Sequence, residues 1–197
     1  MVLTIVFIIT ICVDNILPFI LAMFYKGYSH KSMALSVLGS KQSPVKWIYN
    51  IWCIISGLCF ATCSIAIAVL NTNGLTIAIA ILLSIYGVAC EIISGLFPLN
   101  EKREDIDLSS KIHGGFSAIG FMCLLPVPLL IGIHHITNYV VSIISILCFA
   151  LAMLFFCFFI MGDKDKFKNT IIAYNGIWQR LILLFCYIPI IFFSILL

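Results

Sequence analysis

The sequence predicts an all-α membrane protein, a six-transmembrane-helix bundle with both termini outside and a short interfacial helix in the first cytoplasmic loop. Three observations predict it. The 197 residues are 63% hydrophobic and only 10% charged, where a soluble domain carries roughly 25% charged residues. Six apolar stretches are each long enough to cross a hydrocarbon core about 30 Å thick, which takes roughly 20 helical residues. Finally, all 11 Lys and Arg residues fall on one side of the alternating loops. Together these exclude an ordinary soluble enzyme, a disordered tail and a nucleic-acid-binding domain. Nucleic acid is therefore no expected partner, and membrane lipid is.

The spans read as about 2–25, 47–70, 75–97, 113–133, 139–161 and 176–197, in one domain. Only Asp14, Glu91 and Arg180 among the charged residues lie inside them. The first run is too long for the apolar core of a signal peptide and long enough to span. Asn71-Thr72-Asn73-Gly74 and His134–Asn138 are short connections, so spans two and three, and four and five, are antiparallel neighbours. The first, third and fifth loops carry Lys26, Lys31, Lys41 and Lys46, then Lys102, Arg103 and Lys111, then Lys164, Lys166 and Lys168, with Arg180 just inside span six. The even loops and the termini carry none. Positive charge stays cytoplasmic, which places the odd loops in the cytoplasm and both termini outside, for a multi-pass protein of the cell membrane. Tyr25, Trp47, Trp52, Tyr174 and Trp178 gather at the same level, as interfacial aromatics do.

Local signals refine this. Ser29–Gly39 reads as a short amphipathic helix with Met33, Leu35 and Leu38 toward lipid or bundle and Ser32 and Ser36 on another face. Gly39 would then take a left-handed position at its end. Ser43-Pro44 reads as the cap and first turn of span two, and Ser109-Ser110 as caps before His113. Pro18, Pro126, Pro128 and Pro189 predict kinks. Gly87, Gly95, Gly114, Ala118 and Gly120 read as close-packing positions. All nine cysteines lie in apolar runs and act as small hydrophobes. The i, i+4 pair Cys59 and Cys63 is half of a tetrahedral zinc set, so no metal and no cofactor are expected. The mixed-sign runs Glu101–Asp105 and Asp163–Lys166 read as water-facing loops near lipid headgroups, and His134-His135 as a polar turn.

Three ordered motifs stand out. They are Gly27-Tyr28-Ser29-His30-Lys31-Ser32-Met33-Ala34-Leu35-Ser36-Val37-Leu38-Gly39, followed by Pro44 and Asn50; Gly95-Leu96-Phe97-Pro98, followed by His113; and Gly176-Ile177-Trp178-Gln179-Arg180. The set resembles the bacterial and archaeal membrane family named domain of unknown function 998, over nearly the whole chain. That resemblance implies six membrane helices and no established activity. Where the family often has Thr-Asp after the Phe-Pro, this chain has Leu99-Asn100, so an acidic catalytic group at that point is not expected. Asp14 and Glu91 lie outside the family pattern, and their roles rest on physics alone.

A carboxylate at mid-bilayer costs about 2.5–3.5 kcal/mol on insertion scales. Asp14 and Glu91 therefore need a partner or a proton, and an Arg180 bridge to either one is the structural expectation. The functional expectation is a coupling carboxylate or an anchor for a polar headgroup. The candidate ligand-binding residues are Asp14, His30, Ser32, Ser36, Glu91, His113, Gln179 and Arg180. Three functions fit. The first is binding or movement of a lipid or small amphiphile through a polar pocket open to the cytoplasmic face. The second is an intramembrane enzyme on a lipid headgroup, with His113 as base and a first-loop serine as nucleophile or ligand. The third is an assembly or immunity-type subunit without a pocket. The sequence leaves the oligomeric state open.

Overall fold

A computed structural model describes residues 2–100 and 107–197. The run Glu101–Asp105, expected as a water-facing loop, lies outside the described residues. Six spans are long and apolar enough to cross a membrane: Val2–Ala22, Lys46–Leu70, Gly74–Leu96, Leu108–His134, Tyr139–Gly162 and Asn175–Leu196. The described residues contain no strand. We label the helices α1 (Val2–Ala22), α2 (Lys46–Leu70), α3 (Gly74–Tyr86), α4 (Ser94–Leu96), α5 (Leu108–Leu124), α6 (Val127–His134), α7 (Tyr139–Gly162) and α8 (Asn175–Leu196). A π-helical segment, Gly87–Ile93, joins α3 to α4 within the third span.

The outer faces are apolar. Ile5, Ile9, Ile16, Ile51, Ile55, Leu58, Ile143 and Leu147 are each 43% exposed or more, a surface suited to lipid rather than water. Inside, Phe7, Phe60, Leu83, Tyr86, Leu124, Ile131, Ile182 and Tyr187 form one core. Phe60 anchors it, meeting Phe7 and Tyr86 edge-on at 5.3 and 5.2 Å between centroids.

Most element boundaries fall within a few residues of expectation. The fourth span starts earlier because Asp107 is its cap, accepting from the Ser110 amide at 2.8 Å. Ser109 and Ser110 are already helical and turn their hydroxyls to the preceding loop, at Pro98 O and the Asn100 amide. Likewise α2 begins at Lys46, after Ser43 and Pro44, with Val45 at the cap position. The Ser43 hydroxyl accepts from the Val45 amide in a local turn.

Proline acts unevenly. Pro18 and Pro189 sit within unbroken helices. At Leu125-Pro126 the fourth span breaks into α5 and α6, because Pro126 has no N–H to continue the ladder. The break redirects the chain: α6 packs on α7 and α8, whereas α5 packs on α3 and the π segment. The glycine reading divides in the same way. A Cβ on Gly87 would lie 2.7 Å from Gly57 O, and one on Gly95 2.8 Å from Asn50 O, so these positions do let backbones meet. A Cβ on Gly120 would lie 2.9 Å from the Cys90 amide nitrogen. Around Gly114 and Gly115 a Cβ would meet nothing within 4 Å, so Gly114 borders open space rather than a packed seam.

The first loop corrects the expectation of an interfacial helix over 29–39. Only Leu35–Gly39 is helical, as a 3₁₀ turn, and Leu35 and Leu38 are buried against the bundle. Tertiary hydrogen bonds replace the helical ladder. The Leu35 amide donates to Gln179 Oε1 at 2.7 Å, Asn50 Nδ2 donates to Gly39 O at 3.0 Å, and the Tyr28 hydroxyl donates to Ala34 O at 3.2 Å. Ser32 and Ser36 consequently share no helix face. Gly39 is not left-handed; that conformation belongs to Gly27, at φ 92°. Gly39 is needed because a Cβ there would collide with the Asn50 amide and the Tyr49 ring.

Candidate functional site

Two half-buried carboxyls within the membrane spans are joined by a chain of hydroxyls. On α1, Asp14 accepts from Trp52 Nε1 at 2.6 Å, from the Ser56 hydroxyl at 2.9 Å and from the Tyr187 hydroxyl at 3.1 Å. The Tyr187 and Tyr86 hydroxyl oxygens lie 2.7 Å apart, and the Tyr86 oxygen lies 2.8 Å from Glu91 Oε1. Tyr86 ends α3 and Glu91 lies in the π segment, whose wider turn changes the direction in which the following side chains leave the helix. Tyr187 comes from α8, next to Cys186 and Pro189 in the core.

The eight candidate residues do not converge on one pocket. A cavity of about 640 Å³ lies at the end of the bundle that carries the basic loops, lined by Ser32, Ser36, Glu91, His113 and Gln179 among the candidates. Asn50, Cys53, Ser94, Ser117 and Asp163 add polar atoms, and Phe121, Phe156, Phe159 and Ile160 form an apolar wall. The other three candidates, Asp14, His30 and Arg180, line a groove of about 620 Å³ between α1 and α8, otherwise lined mainly by Ile16, Phe19, Ile20, Leu181 and Leu184.

The cavity exists because α5 turns away from α7 beneath the Pro126 break. Phe121 of α5 stacks on Phe159 of α7, 6.4 Å between centroids, and both rings line the cavity. Small residues Gly114, Ser117 and Ala118 leave the α5 wall recessed. His113 hangs on the second motif. Its Nδ1 lies 3.2 Å from Ser94 O and 3.1 Å from Phe97 O, so Nδ1 carries the hydrogen and Nε2 is left as an acceptor. Among the described residues no serine or cysteine is hydrogen-bonded to His113, and the base–nucleophile pair considered from sequence is not formed. Among the described residues no three His, Cys, Asp or Glu side chains come together as a metal centre would require.

Arg180 corrects the expected ion pair. Among the described residues it bridges neither Asp14 nor Glu91. Its Nη1 donates to Gly176 O at 2.8 Å and His30 O at 3.2 Å, and its Nη2 to the Tyr28 hydroxyl at 2.9 Å and His30 Nδ1 at 3.0 Å. The guanidinium also lies over Phe19, 5.4 Å from the ring centroid. It is a clamp that fastens the first loop to α8. Burial, and next the Arg180 charge, hold the His30 imidazole below its ordinary range, so it stays neutral and its Nδ1 can accept. Gly176 completes the clamp, since a Cβ there would strike the His30 and Met33 carbonyls. With the Gln179 and Asn50 bonds, this makes segment 32–37 a cover over the cavity. Lys41 pairs with Asp107, tying the cover to the start of α5. The same pairing, with the Ser110 contacts, holds the Asp107 carboxyl well below the usual carboxylate range.

The sequence reading missed Tyr86, Tyr187, Trp52 and Ser56. Trp52 reads from sequence as an interfacial aromatic, yet its indole serves Asp14. The available signal was tyrosine in mid-span, because a buried phenol needs a partner and Asp14 and Glu91 were the groups available to supply one.

Neither a curated protein nor a solved structure matches the chain. A family match covers residues 8–196, nearly the whole sequence. This integral membrane protein, with its clamped first loop and its His113 motif, belongs to the family described as protein of unknown function DUF998.

Proposed function

We infer that the protein binds or moves a lipid or small amphiphile held in the covered cavity. The observation that carries this reading is the cavity's two-sided chemistry. Asn50, Glu91, His113 and Gln179 offer a polar recess, and Phe121, Phe156, Phe159 and Ile160 an apolar wall. A volume of about 640 Å³ is in the range of small-molecule sites, roughly 300–1,000 Å³. An amphiphile suits both halves. The cavity contains no Lys or Arg among the described lining residues, which favours a head group that donates hydrogen bonds over a strongly anionic one. By the loop-charge bias the cavity faces the cytoplasm of a cell membrane.

Native mass spectrometry of gently purified protein tests this reading. Wild type is expected to retain an amphiphile that His113→Ala loses by at least tenfold. Arg180→Gln, which loosens the clamp on the first loop but removes no side chain that lines the cavity, is expected to lose less. Spectra without ligand in wild type, or equal retention in His113→Ala, would contradict the reading.

A further inference from the structure

The chain Glu91–Tyr86–Tyr187–Asp14 contains three oxygen-to-oxygen contacts of 2.8, 2.7 and 3.1 Å. Each needs one hydrogen, and the two phenols bring only two. One carboxyl must supply the third, so the four groups hold three protons and a net charge of −1. The hydrogen sits at the Glu91 end in the arrangement described above. Asp14 already accepts from Trp52, Ser56 and Tyr187, which suits a carboxylate. Glu91 has one phenol and the weakly donating Cys53 thiol beside it, against three full donors at Asp14, which suits a carboxylic acid donating to Tyr86.

We propose that this chain is a proton-transfer path that passes one exchangeable proton between the covered cavity and the α1–α8 groove. The two ends open into different spaces: Glu91 lines the cavity and Asp14 lines the groove. Transfer is a concerted shift of three hydrogens. The Glu91 O–H breaks as the Tyr86 O–H forms, the old Tyr86 hydrogen passes to Tyr187, and the old Tyr187 hydrogen passes to Asp14. The product has Glu91 ionised, Asp14 protonated and both phenols restored, so charge and atoms balance. Tyr86 of its own span and Cys53 of α2 hydrogen-bond to Glu91, and the other titratable groups lining the same cavity are Tyr49 from α2, Cys90 from the π segment, His113 from α5 and Asp163 at the end of α7. Asp14 shares its groove with His30 and Arg180. Asp14 and Glu91 are therefore the two acids that share the proton. Whatever occupies one space biases the protonation of the other. The proposal does not depend on the identity of a cavity ligand.

The test uses full-length protein in lipid nanodiscs and a hydrophobic carbodiimide, which reacts only with a protonated carboxyl. The reagent nitrogen takes the acid proton, and the carboxyl oxygen adds to the reagent carbon. At neutral pH, mass spectrometry is expected to find labelling at Glu91 and at Asp14. Tyr86→Phe cuts the path but leaves the three donors of Asp14 untouched. It is expected to slow labelling at Asp14 at least tenfold while Glu91 still reacts. Unchanged labelling of Asp14, or equal slowing at both carboxyls, would overturn the proposal. Infrared spectroscopy of wild type provides a check that needs no variant: one protonated carboxyl per chain is expected at neutral pH, and none or two would contradict the hydrogen count.

Discussion

His30 shows how one side chain sets a pH dependence. Its imidazole accepts from Arg180 Nη2 through Nδ1, so protonation abolishes the contact and places two positive charges together. The folded state holds its pKa below the ordinary value of 6.5, so between the two values the unfolded chain binds more protons. The clamp's contribution is then complete above the ordinary histidine range and lost as pH falls through the lowered value. Wild type is expected to melt at a lower temperature at pH 5 than at pH 7.5. In His30→Gln, whose side-chain oxygen still accepts from Arg180, the clamp's share of that difference disappears. Thermal unfolding in detergent across that range checks it, and an equal pH response in both proteins would contradict the clamp. Arg180 has partners that its sequence neighbours do not reveal. A lone cation near two lone carboxylates suggests a bridge, but neutral carbonyls and hydroxyls satisfy it instead. Nothing in linear sequence shows that the first loop folds back onto α8.

At the scale of elements, apolar run length determined the six spans, and the structure moves most of their ends by only a residue or two. The larger differences have local causes. Asp107 was a stronger cap than the serines after it, and the first loop exchanged helical hydrogen bonds for bonds to Gln179 and Asn50. The π segment was not legible, because its extra residue is stabilised by contacts between spans. Its N-terminal residue, Gly87, touches α2 through backbone alone. Gly87→Leu is expected to destabilise the bundle by about 1–3 kcal/mol, as overpacking does, by forcing α3 off Gly57 and Phe60. Reversible unfolding in mixed micelles would measure it. A neutral result would mean that the π segment tolerates separation from α2.

At the scale of the molecule, the three motifs turn out to form two clusters. The first and third fasten to each other through Arg180, Gln179 and Gly176, while the second binds itself through His113 and the Phe97 carbonyl. The covered cavity lies where these clusters meet. Which side of the membrane it faces follows from charge bias, and a single cysteine tests that. In a cysteine-free background, Asn73→Cys in the turn between α2 and α3 is expected to react with an impermeant thiol reagent from outside intact cells. Reaction only after permeabilisation would invert the topology. The central claim, that the cavity holds an amphiphile, is tested most directly by filling it. Gly114 and Gly115 are neighbours on α5, and neither has an atom within 4 Å of an added Cβ, but only Gly114 is among the residues lining the cavity. The decisive measurement is bound amphiphile per chain, by native mass spectrometry, in Gly114→Phe and Gly115→Phe at matched thermal stability. At least tenfold loss is expected in Gly114→Phe and wild-type retention in Gly115→Phe; equal retention in the two would contradict amphiphile binding in the cavity.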